Sequence, residues 1–253
     1  MLVVISPAKT LKTDLPAIEN STSPVLLSKS KKLAAVLKKH KPAQLSELMG
    51  ISAKLAQLNY ERYQQWKAPY INKESLTAIY AFRGEVFNGL DIDSFSEEEV
   101  KYTNQHLRIL SGLYGVLKPL DAILAYRLEM GTKLQVGDFK NLYKYWGDII
   151  TKTINKDLKA NNEDVLINLA SEEYFKSINT KILKANIITP VFKEHKNGNY
   201  KVISIFAKKA RGMMSSFIMK NRIIDPIDIK HFDLDRYFFN EKLSTNTQFV
   251  FTR

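Results

Sequence analysis

Two short apolar runs, far apart in the chain, constrain the fold most. Leu2-Val3-Val4-Ile5 is continuously apolar and rich in β-branched residues. Such a run has no polar face to turn to water, so it suits a strand covered on both sides. Asp164-Val165-Leu166-Ile167-Asn168-Leu169 reads the same way. Thr247 to Thr252 alternates enough to form a last strand. A sheet that takes strands from both ends of the chain cannot be cut into sequential domains. No repeat, low-complexity tract or linker-like break interrupts the 253 residues. The expected architecture is one α+β domain over 1–253, with a mixed central sheet surrounded by helices.

The stretch about 42–66 has a different logic. Pro42 can open a helix, because a first-turn proline loses no hydrogen bond it would have made. Leu45 and Leu48 then share a face. Gly50 stops the helix by entering the left-handed conformation without a Cβ clash. Ser52 can cap a second helix running through Leu55, Leu58, Tyr63 and Trp66. The pattern resembles a helix-hairpin-helix, whose amides face a phosphate where the helix dipole favours negative charge. Lys54 adds a mobile cation. That motif usually has a second glycine where this chain has Ser52. Two packed helices joined by a tight turn are the plainer reading.

Further elements follow from the same rules. Ser28 to Lys41 holds Lys29, Lys31, Lys32, Lys38, Lys39 and Lys41 without an acid, and Leu33, Val36 and Leu37 give it an apolar stripe. From Ser75 the chain reads as helical, with turns at Gly84 and Gly89. A capping box of Ser96 and Glu99 starts a helix that is expected to run through His106 to Leu113. Leu142 to Ile154 reads as one helix. Ser171 should cap the helix to Phe175, with Glu172 in its first turn. Asn197-Gly198 suggests a hairpin between Ile187–Phe192 and Tyr200–Phe206, with a loop longer than two residues. Ala207 to Gly212 then forms a basic strand-to-helix junction before a helix from Met213 to Asn221. Tyr237-Phe238-Phe239 reads as core.

Charge narrows the partners. Thirty-eight Lys and Arg against 26 acids give a net charge of +12, which suggests a polyanion, most simply nucleic acid. Between His195 and Ile224 seven Lys or Arg meet no acid, so this segment is a second place for phosphate. No apolar run is long enough to span a membrane. No signal-peptide pattern is present, since Pro7 and Lys9 break the apolar start. The absence of cysteine excludes disulfides and thiolate-held metals. Lys9-Thr10 after a strand lacks the glycines of a phosphate loop. A cytoplasmic protein without cofactor is expected.

Six segments occur together and in order: Ser6-Pro7-Ala8-Lys9-Thr10-Leu11, Leu107 to Pro119, Tyr126-Arg127-Leu128-Glu129-Met130-Gly131, Trp146-Gly147-Asp148, Ile167-Asn168-Leu169-Ala170-Ser171 and Phe206-Ala207-Lys208-Lys209-Ala210-Arg211-Gly212. On these the chain is similar, over nearly its whole length, to the bacterial YaaA family of peroxide stress resistance proteins. The resemblance implies a cytoplasmic protein of the hydrogen peroxide response, associated with low free iron. It also implies a compact fold with a helix-hairpin-helix and a positively charged cleft that binds DNA. The hairpin carries over to Gly50, Ser52 and Lys54. For the cleft, our own assignment is Lys9, Arg127, Lys208, Lys209 and Arg211. The family brings no settled catalytic mechanism.

Three functions compete. The first is a binder of the DNA phosphate backbone, which needs cations and amides and no base-reading helix. The second is an enzyme on a small or nucleotide-like substrate. Its cleft would bring together Lys9, Arg127, Glu129, Ser171 and Lys208, with Asn168, Glu172 and Arg211, around a small anionic ligand. The third is direct iron binding. His40, His106, His195 and His231 are widely spaced, and only His231 with Asp233 and Asp235 forms a local cluster; no metal site is expected.

Overall fold

A computed structural model describes residues 1–15, 21–68 and 75–253. Residues 16–20 and 69–74 lie outside the described residues. The chain begins with β1 (Leu2–Ile5), a two-residue β2 (Thr10–Leu11) and three helices, α1 (Leu27–Leu37), α2 (Pro42–Met49) and α3 (Ala53–Gln65). Short elements follow: β3 (Leu76–Thr77), α4 (Ala78–Ala81), β4 (Phe82–Arg83) and α5 (Glu85–Leu90). Next come α6 (Glu97–His106), β5 (Leu107–Ser111), β6 (Gly115–Leu117), β7 (Ala122–Ile123), α7 (Leu142–Trp146), α8 (Ile149–Ala160), β8 (Val165–Leu169) and α9 (Glu172–Phe175). The last part holds β9 (Asn186–Lys196), β10 (Asn199–Lys201), α10 (Ser204–Lys220), β11 (Phe238–Phe239) and β12 (Gln248–Thr252).

The apolar runs do what their pattern requires. All four residues of β1 are fully buried. The strand lies between β5 and β8, parallel to both, with Val3 opposite Leu107 on one side and Ile167 on the other. The sheet order is β11-β12-β9-β8-β1-β5-β6, and β10 pairs with β9. Its centre, β12-β9-β8-β1-β5, is parallel, while β6, β10 and β11 join antiparallel. The fold is a mixed-sheet α+β domain in which the first, middle and last strands share one core.

Several local expectations are corrected. The helix that opens on the Ser96–Glu99 capping box ends at His106, and Leu107–Ser111 is the buried strand β5. Its leucines repeat at a spacing that also fits a helix, but pairing with β1 satisfies its backbone and buries both faces. Leu142 to Ile154 is broken at Gly147, whose φ of 48° and ψ of −130° stop α7 before α8 begins. Between Ser75 and Ser96 the α-helical pieces are Ala78–Ala81 and Glu85–Leu90, followed by a 3-10 turn at Ile92–Ser94, and Gly89 lies inside the second piece. The β9–β10 connection is a two-residue turn after all: Lys196 pairs with Asn199. Asn197 and Gly198 both have positive φ, 53° and 75°, which matches the twist of the flanking strands. The strand after it ends at Lys201, and α10 starts at Ser204, so Ala207 to Gly212 lies within a helix and is no junction. Tyr237 is buried, whereas Phe238 is exposed.

Candidate functional site

β1 sits where the chain divides. From β1 the chain goes on to β5 on one side, and from β8, on the other side, it moves further away to β9. In open sheets with parallel strands, such a divergence leaves a crevice beyond the carboxyl ends of the two strands. Here that crevice is a cleft of about 390 Å³. Ser6 to Thr10, following β1, line one part, and Ser171, Glu173 and Tyr174, following β8, line another. Arg83 to Phe87, Glu129, Lys208 and Arg211 complete it.

Backbone contacts hold these walls in place. Thr10 pairs with Arg83, so the chain after β1 runs beside Arg83 and Gly84. Gly84 has φ 151° and ψ 176°, a conformation essentially confined to glycine. α5 and α10 meet with no space for side chains: a Cβ on Gly212 would lie 1.9 Å from the Val86 carbonyl oxygen, and one on Gly89 would lie 2.1 Å from that of Lys209. This contact sets Lys208 and Arg211 opposite Arg83–Phe87. The Tyr126–Met130 segment is fixed in the same way, since a Cβ on Gly112 would lie 2.2 Å from the Leu128 carbonyl oxygen.

The cleft is of mixed charge. Residues 126–129 lie in neither helix nor strand, and Arg127 and Glu129, two apart, meet through their side chains. The Arg127 guanidinium donates to Glu129 Oε1 at 2.9 and 3.2 Å, and Lys9 Nζ lies 3.4 Å from the same oxygen. Glu129 Oε2 is buried and accepts no hydrogen bond. Glu173 accepts from the Gly131 amide at 2.8 Å. Ser6 joins the two strand ends: its hydroxyl accepts from the Ser171 amide at 2.8 Å and donates to Ser171 Oγ at 3.2 Å. Ser171 does occupy the cap position of α9, but its hydroxyl caps no helix amide. Arg211 makes no side-chain hydrogen bond or ion pair among the described residues, and burial without a counter-ion pulls its pKa below the ordinary value. At Tyr174 in the cleft wall, and at Tyr63 and Tyr126 behind it, burial pushes the hydroxyls far above the usual phenol range.

Of the residues expected in a cleft, Lys9, Glu129, Ser171, Lys208 and Arg211 line the same space, with Arg127 behind Glu129. Three do not. Asn168 is buried, donating to Thr189 and accepting from the Ala170 amide. Glu172 points to solvent and pairs with Lys176. Lys209 is exposed outside the lining. Arg83, Gly84, Glu85 and Glu173 escaped the sequence reading. Only Gly84, noted as a turn, gave any signal.

The α2–α3 pair has the expected turn. Gly50 ends α2 with φ 59° and ψ 45°, and Ser52 accepts the Leu55 amide at 3.4 Å. Ser46 fastens the turn by donating to the Ile51 carbonyl at 2.6 Å. Ser52 and Lys54 are exposed, as are Leu55 and Leu58, while Ala56, Asn59 and Tyr63 face the core. Tyr63 donates to the Arg127 carbonyl oxygen, so α3 runs from the exposed turn to the segment that carries Glu129. The two ends are roughly 14 Å apart along the helix axis. Leu33 and Leu37 anchor α1, and Lys31, Lys32 and Lys39 on it or just after it face solvent. Among the described residues no three His, Asp or Glu gather as a metal site. Asp235 instead pairs with Arg253 at 2.5 Å, and His231 is exposed.

The fold and cleft define a single-domain α+β protein with a polar crevice at the divergence of its parallel strands. Residues 1–243 match the family described as "Peroxide stress protein YaaA". Relatives named "UPF0246 protein" include one from Teredinibacter turnerae, 53% identical over 254 residues, covering 100% of this chain and 99% of the relative. Another, from Hahella chejuensis, is 49% identical over 255 residues, covering 100% and 99%. The chain belongs to the YaaA family of peroxide stress proteins. No helix among the described residues is long and apolar enough to cross a membrane.

Proposed function

We propose that this peroxide stress protein acts in the cytoplasm by binding DNA through its phosphate backbone, largely without sequence specificity, and so helps limit iron-dependent oxidative damage. The observation that carries this reading is the exposed α2–α3 turn, with Gly50 left-handed, Ser52 capping and Lys54 free in the first turn of α3. In a helix-hairpin-helix this arrangement offers amides and a cation to one phosphate. The lysines of α1 extend the positive surface, and Lys9, Lys208 and Lys209 supply further exposed cations. Arg127 and Arg211 stand further back, the first engaged by Glu129 and the second recessed in the cleft. Binding through phosphates releases counterions, so affinity falls steeply with salt and varies little with sequence. Fluorescence anisotropy with two unrelated duplexes over a salt series tests this. An affinity that hardly changes with salt, or that separates the duplexes widely, sinks the reading.

A second reading has its own support. The crevice at the strand divergence, where Lys9, Glu129, Ser171, Lys208 and Arg211 meet, is where sheets of this kind hold small ligands. An enzyme acting on a small or nucleotide-like substrate would place its chemistry there.

A further inference from the structure

The cleft sets the cations Lys9, Arg83, Lys208 and Arg211, with Arg127 beside them, against the carboxylates Glu85, Glu129 and Glu173. Glu129 is engaged by Arg127 and Lys9, and Glu173 by the Gly131 amide. Arg83, Lys208 and Arg211 have no carboxylate partner among the described residues, and Arg211 is partly buried as well. A guanidinium drawn out of water without an anion is costly. An excess of two positive charges around one space suits a ligand with more than one negative charge. The other wall offers a complementary group. Ser6 already donates to Ser171 Oγ, which leaves the Ser171 hydroxyl hydrogen free to donate elsewhere. At about 390 Å³ the space falls in the range of small-molecule sites and is too small for a duplex.

We propose that this cleft binds a nucleotide-sized phosphate monoester. Arg211 is the principal counter-ion of the dianionic phosphate, with Arg83 and Lys208 beside it. The Ser171 hydroxyl donates to a phosphate oxygen. The inference deepens the second reading; its main counter-ion, Arg211, stands back from the exposed cations offered to DNA, and Lys208 is shared with them. A backbone phosphate offers related chemistry as a diester, so the test separates the two sources.

Isothermal titration of the full chain with adenosine monophosphate (AMP), inorganic phosphate and adenosine reads the site, and duplex anisotropy is run in parallel. AMP should bind at least about tenfold more tightly than adenosine, because the phosphate supplies the charge-assisted bonds. Arg211→Gln should weaken AMP by about tenfold or more. Lys208→Ala, at an exposed position that folding does not need, should weaken it several-fold, so the result does not hang on one variant. Saturating AMP should weaken duplex binding by no more than several-fold, the share of Lys208. The proposal is overturned if AMP fails to bind at about 10 mM, whether or not inorganic phosphate binds. It is equally overturned if both variants bind AMP as the wild type does, or if AMP and duplex compete through Arg211. Loss of duplex binding with AMP binding intact defeats the DNA reading alone.

Discussion

Gly212 shows how a residue without a side chain can position charged ones. Its missing Cβ lets the backbone of α10 touch that of α5, which turns Arg211 and Lys208 into the cleft. Gly212→Ala places a methyl where the Val86 carbonyl oxygen lies 1.9 Å away. It should destabilise the fold by about 1–3 kcal/mol or more, since neither backbone can yield cheaply. Chemical denaturation measures this, and an unchanged midpoint would contradict the packing described. Tyr63, Tyr126 and Tyr174 make a second prediction. Burial raises their folded pKa above the ordinary value of 10.0. Their stabilisation is therefore complete below that pH and is lost as pH rises above it, by about 1.4 kcal/mol per unit for each group. In a spectrophotometric titration these three should stay protonated until the chain unfolds. Their smooth ionisation near pH 10 in the native state would count against the buried cluster. At this scale the sequence displayed the charges of Lys208 and Arg211 plainly. It could not display Arg83, because a two-residue strand pair with Thr10 brings it into place.

Among the elements, the α2–α3 turn was the most legible, because each of its determinants is local. Pro42 opens, Gly50 stops and Ser52 caps, and none of these depends on a distant partner. Ser52→Ala should cost about 1 kcal/mol by leaving the Leu55 amide without its cap. Thermal unfolding detects that loss, and a variant as stable as the parent would mean that the 3.4 Å bond contributes nothing. The strand β5 was illegible for the opposite reason. Leu107, Leu110 and Leu113 follow a capped helix at helical spacing, and only pairing with Val3–Ile5 makes Leu107–Ser111 a strand. The start of α10 was hidden in the same way: Tyr200 to Phe206 looks strand-like, yet the two-residue turn at Asn197-Gly198 ends the hairpin early.

For the whole molecule, burial decided what could be foreseen. β1 and β8 announced a covered sheet because their runs leave no polar face, and the sheet order then set their carboxyl ends side by side. That order is a long-range property, so the sequence could name Lys9, Glu129, Ser171, Lys208 and Arg211 as a cleft set without placing them at the strand ends. Within a net charge of +12, two sets of cations stand out: an exposed set, on α1, the α2–α3 turn and at Lys9, Lys208 and Lys209, and a recessed set of Arg127 and Arg211. The central claim is that the exposed set grips DNA phosphates. Its most direct test is the salt dependence of duplex binding by Lys54→Ala beside the wild type. Loss of one phosphate contact should weaken every duplex alike and reduce the slope of log affinity against log salt by about 0.9. An unchanged slope, or a loss confined to one sequence, would contradict it.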